Sequence, residues 1–515
     1  MVQISRREGV IGGLVTSLAG VSGSGRSAAQ SAPPKLDRAA NLRFFYYKPL
    51  PTYDVHKAFS GFDNTPLFLV YDRLVHQDAK GDPVPGLALR WTFSDDARRV
   101  TFRLRENVRF HDGAPFDAEA VRLNINRAKT VAGSAVAADL KVVEAVKVVD
   151  PLTVEFQLSE PAVSIPLILS DRAGAMISPA ALEGTTLNVR PVGAGMYKAR
   201  EDFQSGVGIK LERFAEYWEP EANLLAGVDM RFNTDATSRL NALRSGSADL
   251  VGINPDQIDL AKRSNLNVTS GYDLSFATAT FNPNIVPALK DERVRRALDL
   301  AVDREALVAG VLSGKGIPAY QPFPEDYFAY NSDIVPQPYD VERARSLMAE
   351  AGYKDGFDLE LLAVPDPIRI RTGEALAGQW AAIGVRVKLS PIESGVMAQR
   401  YITDKNAGGQ CNGWSGRADP AATLAPNFLA DGWQNPGGLT SGAVTRLYQE
   451  IEATTDQGKR TALLKAISAE IAAHPLSVIP LYRPLTAVAS RRNVVGLRSW
   501  ISGKIELRGV GMVAA

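Results

Sequence analysis

Apolar and polar positions along the chain follow two periods. Val100-Thr101-Phe102-Arg103-Leu104-Arg105 repeats every two residues, as a strand with one buried face requires, and Ser94-Asp95-Asp96 supplies the turn before it. Leu42-Arg43-Phe44-Phe45-Tyr46-Tyr47 reads as a first strand, stopped by Pro49 and Pro51. Further strands are predicted at 142–149, 153–158, 207–213, 227–232, 274–282, 359–362 and 385–389, with a buried crossing segment at 479–482. The helical period takes over between them. Asp117 caps a helix with Val121 and Ile125 on one face, Asp303 caps one running to Leu312, and Asp340 caps one ended by Gly352. Helices are also predicted at 237–245, 294–302, 368–382, 444–454 and 459–473. Strands alternating with helices predict α/β lobes. No Pro/Gly-rich linker divides the chain after residue 41, so the lobes are expected to be joined by crossing strands.

Composition narrows the class. The 515 residues suit more than one domain, and 45% apolar with 22% charged residues is ordinary for a globular protein. Lys+Arg (58) and Asp+Glu (57) nearly cancel, so no field suited to nucleic acid is expected. The single cysteine, Cys411, excludes an internal disulfide, and the four histidines are scattered, so no metal site is expected.

The N-terminus points to export. Ser5-Arg6-Arg7 precedes an apolar run of about 12 residues, short of the ~20 that span a bilayer, and Ser27-Ala28-Ala29 offers a cleavage site. The arginine pair resembles a twin-arginine signal, although Gly9 and Val10 stand where that signal has Phe-Leu, and the general secretory route is the alternative. Residues 1–29 are thus expected to be a cleaved signal peptide, and the mature protein to be periplasmic. No cysteine at the cleavage region offers a lipid attachment point.

No catalytic motif stands out. Gly413-Trp414-Ser415-Gly416 lacks nucleophile-elbow spacing, Gly310-Val311-Leu312-Ser313-Gly314-Lys315 is one residue short of a phosphate loop, and Gly193-Ala194-Gly195 lacks the third glycine of a dinucleotide fingerprint. No catalytic residue and no cofactor is therefore expected. The segment Cys411–Pro420 is more informative. Trp414 offers an apolar wall, Arg417 a bidentate clamp for an anion, and Asp419 a second charge, all in a Gly/Pro-bounded loop. The alternative is a surface loop in which Trp414 packs on a neighbour and Arg417 pairs with Asp419.

The chain also resembles the solute-binding proteins of peptide/nickel-type (family 5) ABC importers from about residue 42 to 500. The residues that carry this are Tyr71-Asp72-Arg73-Leu74, Pro85-Gly86-Leu87-Ala88, Trp91 to Asp96 and Phe102 to Gly113, followed by Pro191 to Gly195, Arg293 to Ala297 with Asp303-Arg304, and Ala351-Gly352-Tyr353. The resemblance implies a two-lobed, type II periplasmic-binding-protein-like α/β fold with an extra α/β subdomain on the first lobe and a ligand cleft at the hinge. It places lobe I at 42–66, 186–277 and 483–515, the extra subdomain at 67–185, and lobe II at 278–482. It implies a receptor that captures a peptide or peptide-like small molecule between the lobes and delivers it to an ABC permease in the membrane, without catalysis, as a monomer.

Dipeptide-type relatives carry an aspartate for the ligand's α-amine where this chain has Arg417, which favours an anionic group on the ligand instead. Loop position in the resembled fold adds Tyr47, Asn64, Asn282 and Tyr320 as candidate ligand contacts, while His111 and Gly113 read as fold residues. Two other readings stay open at this point: a periplasmic hydrolase of peptides or acylated amino acids, and a ligand sensor or chaperone on the same fold.

Overall fold

Three sheets carry the architecture. The computed structural model describes residues 35–514 apart from 59, 184, 185, 201 and 203–206; the signal-peptide reading over 1–29 lies outside the described residues. Residues Leu36–Ala515 form one compact unit.

The first lobe is built on a seven-stranded sheet. Its order is Asn267–Gly271, Thr486–Ser490, Leu250–Ile253, Asn41–Tyr46, Gly227–Phe232, Gly208–Arg213 and Tyr197–Ala199. Asn41–Tyr46 is central and runs parallel to both neighbours. Leu42, Phe44 and Tyr46 alternate into the core, with Val228, Met230 and Leu250 against them. The carboxyl ends of these parallel strands, at Tyr46, Phe232 and Ile253, share one side of the sheet, where open α/β sheets bind ligands.

A four-stranded antiparallel sheet, in the order Ala88–Phe93, Arg99–Leu104, Thr153–Leu158 and Val143–Asp150, forms a subdomain with its own core. Helix Ala118–Thr130 covers it with Val121 and Ile125, and Asp117 caps that helix by accepting from the Ala120 amide at 2.9 Å.

The second lobe holds a six-stranded sheet in the order Gly316–Pro318, Val478–Pro484, Phe276–Phe281, Gly409–Trp414, Asp358–Ala363 and Arg386–Pro391. Helices Glu292–Leu300, Arg304–Leu312, Val341–Glu350 and Pro367–Ala381 pack on it, and helices Gly442–Ala453 and Gln457–Ala473 build an adjoining core around Ile451, Leu464 and Ile467.

Two crossings join the lobes' sheets. Residues 272–275 connect strand Asn267–Gly271 of the first to Phe276–Phe281 of the second, and Leu485 alone separates Val478–Pro484 from Thr486–Ser490. Arg483, 2% exposed, ties both crossings together. Its guanidinium donates to the carbonyls of Ser275 (3.3 Å) and Gln321 (2.9 Å) and stacks on Phe276 at 5.1 Å. Burial lowers its pKa to about 9.

Candidate solute-binding cleft

The strand pairing itself positions the Trp414 loop. Phe276, the first residue of its strand, pairs with Trp414, the last of its own, so the loop leaves the second sheet where the chain crosses over. Residues 411–414, expected to be loop, are not. Gly409–Trp414 is a strand despite its two glycines, because it is clamped between two neighbours. The loop then turns at Gly416, φ +69°, where an added Cβ would lie 2.3 Å from Leu274 Cβ in the crossing segment.

Arg417 faces the seam between the lobes. Its guanidinium stacks on Trp414 at 4.9 Å, and its one hydrogen bond among the described residues is to the neighbouring Gly416 carbonyl at 3.3 Å. Trp414 is held by Thr423, which accepts from Nε1 at 3.1 Å, and by the ring of Trp433 at 5.6 Å. From the other side, Lys504 reaches across the seam and donates to the Ser415 carbonyl at 3.3 Å. Neither cation makes an ion pair among the described residues. Burial lowers the pKa of both, against the opposing pull of carboxylates near them: Asp139 for Arg417 and Asp171 for Lys504.

Arg417, Lys504 and Asp171 line a charged chamber of about 20 Å³, the room of about one water. Asn64 lines it: Nδ2 donates to Asp171 Oδ1 at 2.9 Å, which fixes the amide, and Oδ1 is buried without a partner among the described residues. Burial disfavours the Asp171 anion, but Arg172, Lys504 and Arg417 outweigh it and hold the carboxyl at about 2. Asp139 is raised by burial, partly offset by Arg417. The chamber therefore holds two directly unpaired cations, a free acceptor and ionised carboxylate.

A larger chamber of about 370 Å³ adjoins it, with Lys504 on the shared wall. Tyr47, Phe62 and Trp500 line it from the first lobe, Leu312 and Ile368 from the second, and Thr486 from a crossing strand. Tyr47 packs on Tyr46 at 4.6 Å and on Phe62 at 5.8 Å. Trp500 Nε1 is buried without a partner among the described residues.

The structure thus sets Arg417 and Asn64 on the charged chamber, Trp414 behind Arg417 and Tyr47 on the adjoining chamber, and it sets the other three expected contacts apart. Asp419 does not pair with Arg417: it is 1% exposed, and Arg460 takes its two oxygens at 2.8 and 2.9 Å. Asn282 lies beyond the far end of its strand, which begins at the seam with Phe276. There its Nδ2 donates to the Lys405 carbonyl and its Oδ1 accepts from the Asn284 amide. Tyr320 stacks under Arg304 at 4.7 Å in a groove lined by second-lobe residues alone. Asp171, Lys504, Phe62 and Trp500 escaped the sequence reading. The one local signal was small: Ser502-Gly503-Lys504, a turn carrying a lone cation beside Trp500.

Comparison with known proteins settles the class. The sequence profile of bacterial extracellular solute-binding proteins, family 5 (middle), matches residues 82–436. The chain belongs to that family. It is 30% identical over 431 residues to the glutathione-binding protein GsiB of Shigella dysenteriae serotype 1, covering 81% of this chain and 83% of that one. The corresponding GsiB of Salmonella typhimurium is 32% identical over 432 residues, with the same coverage. Among solved structures, HbpA2 from Haemophilus parasuis superposes with a TM-score of 0.79 at 25% identity, covering 92% of this chain and all (100%) of that chain. The periplasmic binding protein AgaA of A. tumefaciens, in complex with agropinic acid, has the same fold, with a TM-score of 0.79 at 23% identity over 92% of this chain and 99% of that one. This family 5 protein is accordingly the extracytoplasmic solute-binding component of an ABC importer. Its task is binding, and the hydrolase reading is set aside.

Proposed function

We propose that the solute is a small peptide-like acid, with glutathione the first candidate, closed between the lobes and passed to an ABC permease. The observation that carries this reading is the pair of seam cations, Arg417 and Lys504, neither in an ion pair among the described residues. A carboxylate placed between them would gain charge-assisted hydrogen bonds in a site already stripped of most water. Asp171 and Asn64 Oδ1 supply acceptors for an ammonium or amide N–H on the same solute. Tyr47, Phe62 and Trp500 offer apolar walls to its remainder. The glutathione-binding relatives support the same chemistry.

Closure follows from differential affinity. The solute touches both lobes only when they meet, so binding shifts the population toward the closed form. The moving parts are 42–66, 186–277 and 483–515 with the subdomain 67–185, against 278–482. The protein acts as a monomer, exported behind the signal at 1–29.

Thermal unfolding of residues 30–515 against glutathione, dipeptides and N-blocked acidic peptides tests the reading. A ligand at 100 times its Kd stabilises by about 2.7 kcal/mol, a readable rise in midpoint. Arg417→Ala is expected to weaken binding of the responding acid by about 10- to 100-fold, the worth of a hydrogen bond to a charged group. A free-amine peptide whose affinity survives Arg417→Ala would leave the receptor standing and remove Arg417 from its site.

A further inference from the structure

A second contact between the two sides of the molecule lies away from both chambers. Residues 162–164 belong to the subdomain: Ala162 and Ile165 sit in its core, and the Ala162 amide donates to the Ala97 carbonyl at 3.3 Å. Glu452 belongs to the second lobe, next to Ile451 in the core of helices Gly442–Ala453 and Gln457–Ala473. Across the gap the Val163 amide donates to the Glu452 carbonyl at 3.0 Å, and Ser164 Oγ donates to Glu452 Oε2 at 2.6 Å. Ser164 is 5% and Glu452 7% exposed.

The contact does not stop at Glu452. Arg460, 8% exposed, lies 3.5 Å from Glu452 Oε1 and forks onto Asp419. Asp419 in turn accepts from the Ala421 amide at 2.8 Å, and Tyr327 holds the Ala418 carbonyl at 3.1 Å. Asp419 ends the loop that presents Arg417. A chain of buried polar contacts therefore runs from the subdomain through Glu452 and Arg460 to Asp419, two residues along the backbone from Arg417.

We propose that Ser164 and Glu452 are positioning residues for solute capture: their hydrogen bond forms only as the lobes close, and Arg460 and Asp419 carry it to the Arg417 loop. Opening about the two crossings separates residues 162–164 from helix Gly442–Ala453 and returns Glu452 to water. The role of the loop rests on the cleft reading above, whereas the closure measurement below needs no solute. Closure also takes up a proton. Burial raises the Glu452 pKa to about 7, with Asp419 adding to the rise and Arg460 and Ser164 opposing it. The other titratable groups facing this cluster are Tyr448 and Tyr327 from the second lobe and Glu160 from the subdomain. Opening removes the subdomain's share of that burial and leaves Arg460 and Asp419 in place, so the Glu452 pKa is lower in the open form than in the closed one. The closed form is then favoured as pH falls.

The exposed pair Lys141–Asp431, 3.4 Å apart, spans the same two bodies and offers label sites. Spin labels on Lys141→Cys and Asp431→Cys, with buried Cys411 left unmodified, report the closed-to-open ratio of the ligand-free protein from the interlabel distances. Ser164→Ala is expected to lower that ratio about fivefold, the worth of one net hydrogen bond, with the unfolding midpoint unchanged and Ser164→Thr restoring the ratio. From pH 8 to pH 6 the ratio is expected to rise about tenfold, and Glu452→Gln to flatten that slope. An unchanged ratio in Ser164→Ala overturns the proposal, as does a slope that persists in Glu452→Gln. A lower midpoint with an unchanged ratio would reduce the bond to ordinary packing. Failure of the acidic panel to bind would count against the solute assignment and leave these closure results untouched.

Discussion

Asp171 shows how one side chain serves both the chamber and the fold. Its carboxyl sits at about 2, below its ordinary 3.8, because Arg172, Lys504 and Arg417 outweigh its burial. A depressed carboxyl contributes stability that is present above pH 3.8 and lost as pH falls toward 2, at most about 2 kcal/mol here. An acid titration of unfolding should therefore be shallower in that window for Asp171→Asn. Arg73 and Glu506 form a neighbouring buried pair at 3.1 Å, 4% and 10% exposed, with Arg73 stacked on Phe68 at 4.0 Å. Glu506→Ala strands that cation, and denaturant unfolding should show a loss of about 3–5 kcal/mol. At this scale the sequence was half legible. Arg417 was visible because Trp414, two glycines and Pro420 surround it locally. Lys504 was not, because the carbonyl it meets, on Ser415, is 89 residues away and no local pattern encodes the encounter.

Elements were legible where burial is one-sided. Arg99–Leu104 and Gly227–Phe232 alternate because one face meets a core and the other does not. Leu250–Ile253 is buried throughout, so it carries no alternation, and edge strand Asn267–Gly271 is nearly polar. Helix Ala421–Phe428 holds Pro426 inside it and reads as a break. The crossing at Leu485 depends on a side chain from the strand before it. Arg483→Met removes the donor to the Ser275 and Gln321 carbonyls, leaving buried acceptors unsatisfied. We expect a loss of about 2–4 kcal/mol in chemical unfolding, from at least two such groups at about 1–3 kcal/mol each.

On the scale of the whole molecule, the family motifs made the fold class readable, since most of them are packing positions. Gly193, within one such motif, shows why: an added Cβ would lie 2.3 Å from the Val70 carbonyl oxygen. The cleft was less readable because it is assembled from distant segments. The last of these, 496–510, runs from the larger chamber back into the first-lobe core at Leu507 and Val510, 1% and 0% exposed. Deleting residues 505–515 should cost the first lobe more than about 3–6 kcal/mol: Leu507 and Val510 account for that much at about 1.5–3 kcal/mol each, and Met512 and the Glu506 partner of Arg73 go with them. Calorimetry would show this as an earlier first transition.

Cys411 lies in the strand that leads to Trp414, 1% exposed, and burial pushes its thiol up to about 12. It is the only sulfhydryl in the chain, and at neutral pH it supplies almost no thiolate. A solute bearing a thiol or a disulfide would therefore cross this receptor without sulfur exchange, leaving in the oxidation state in which it arrived.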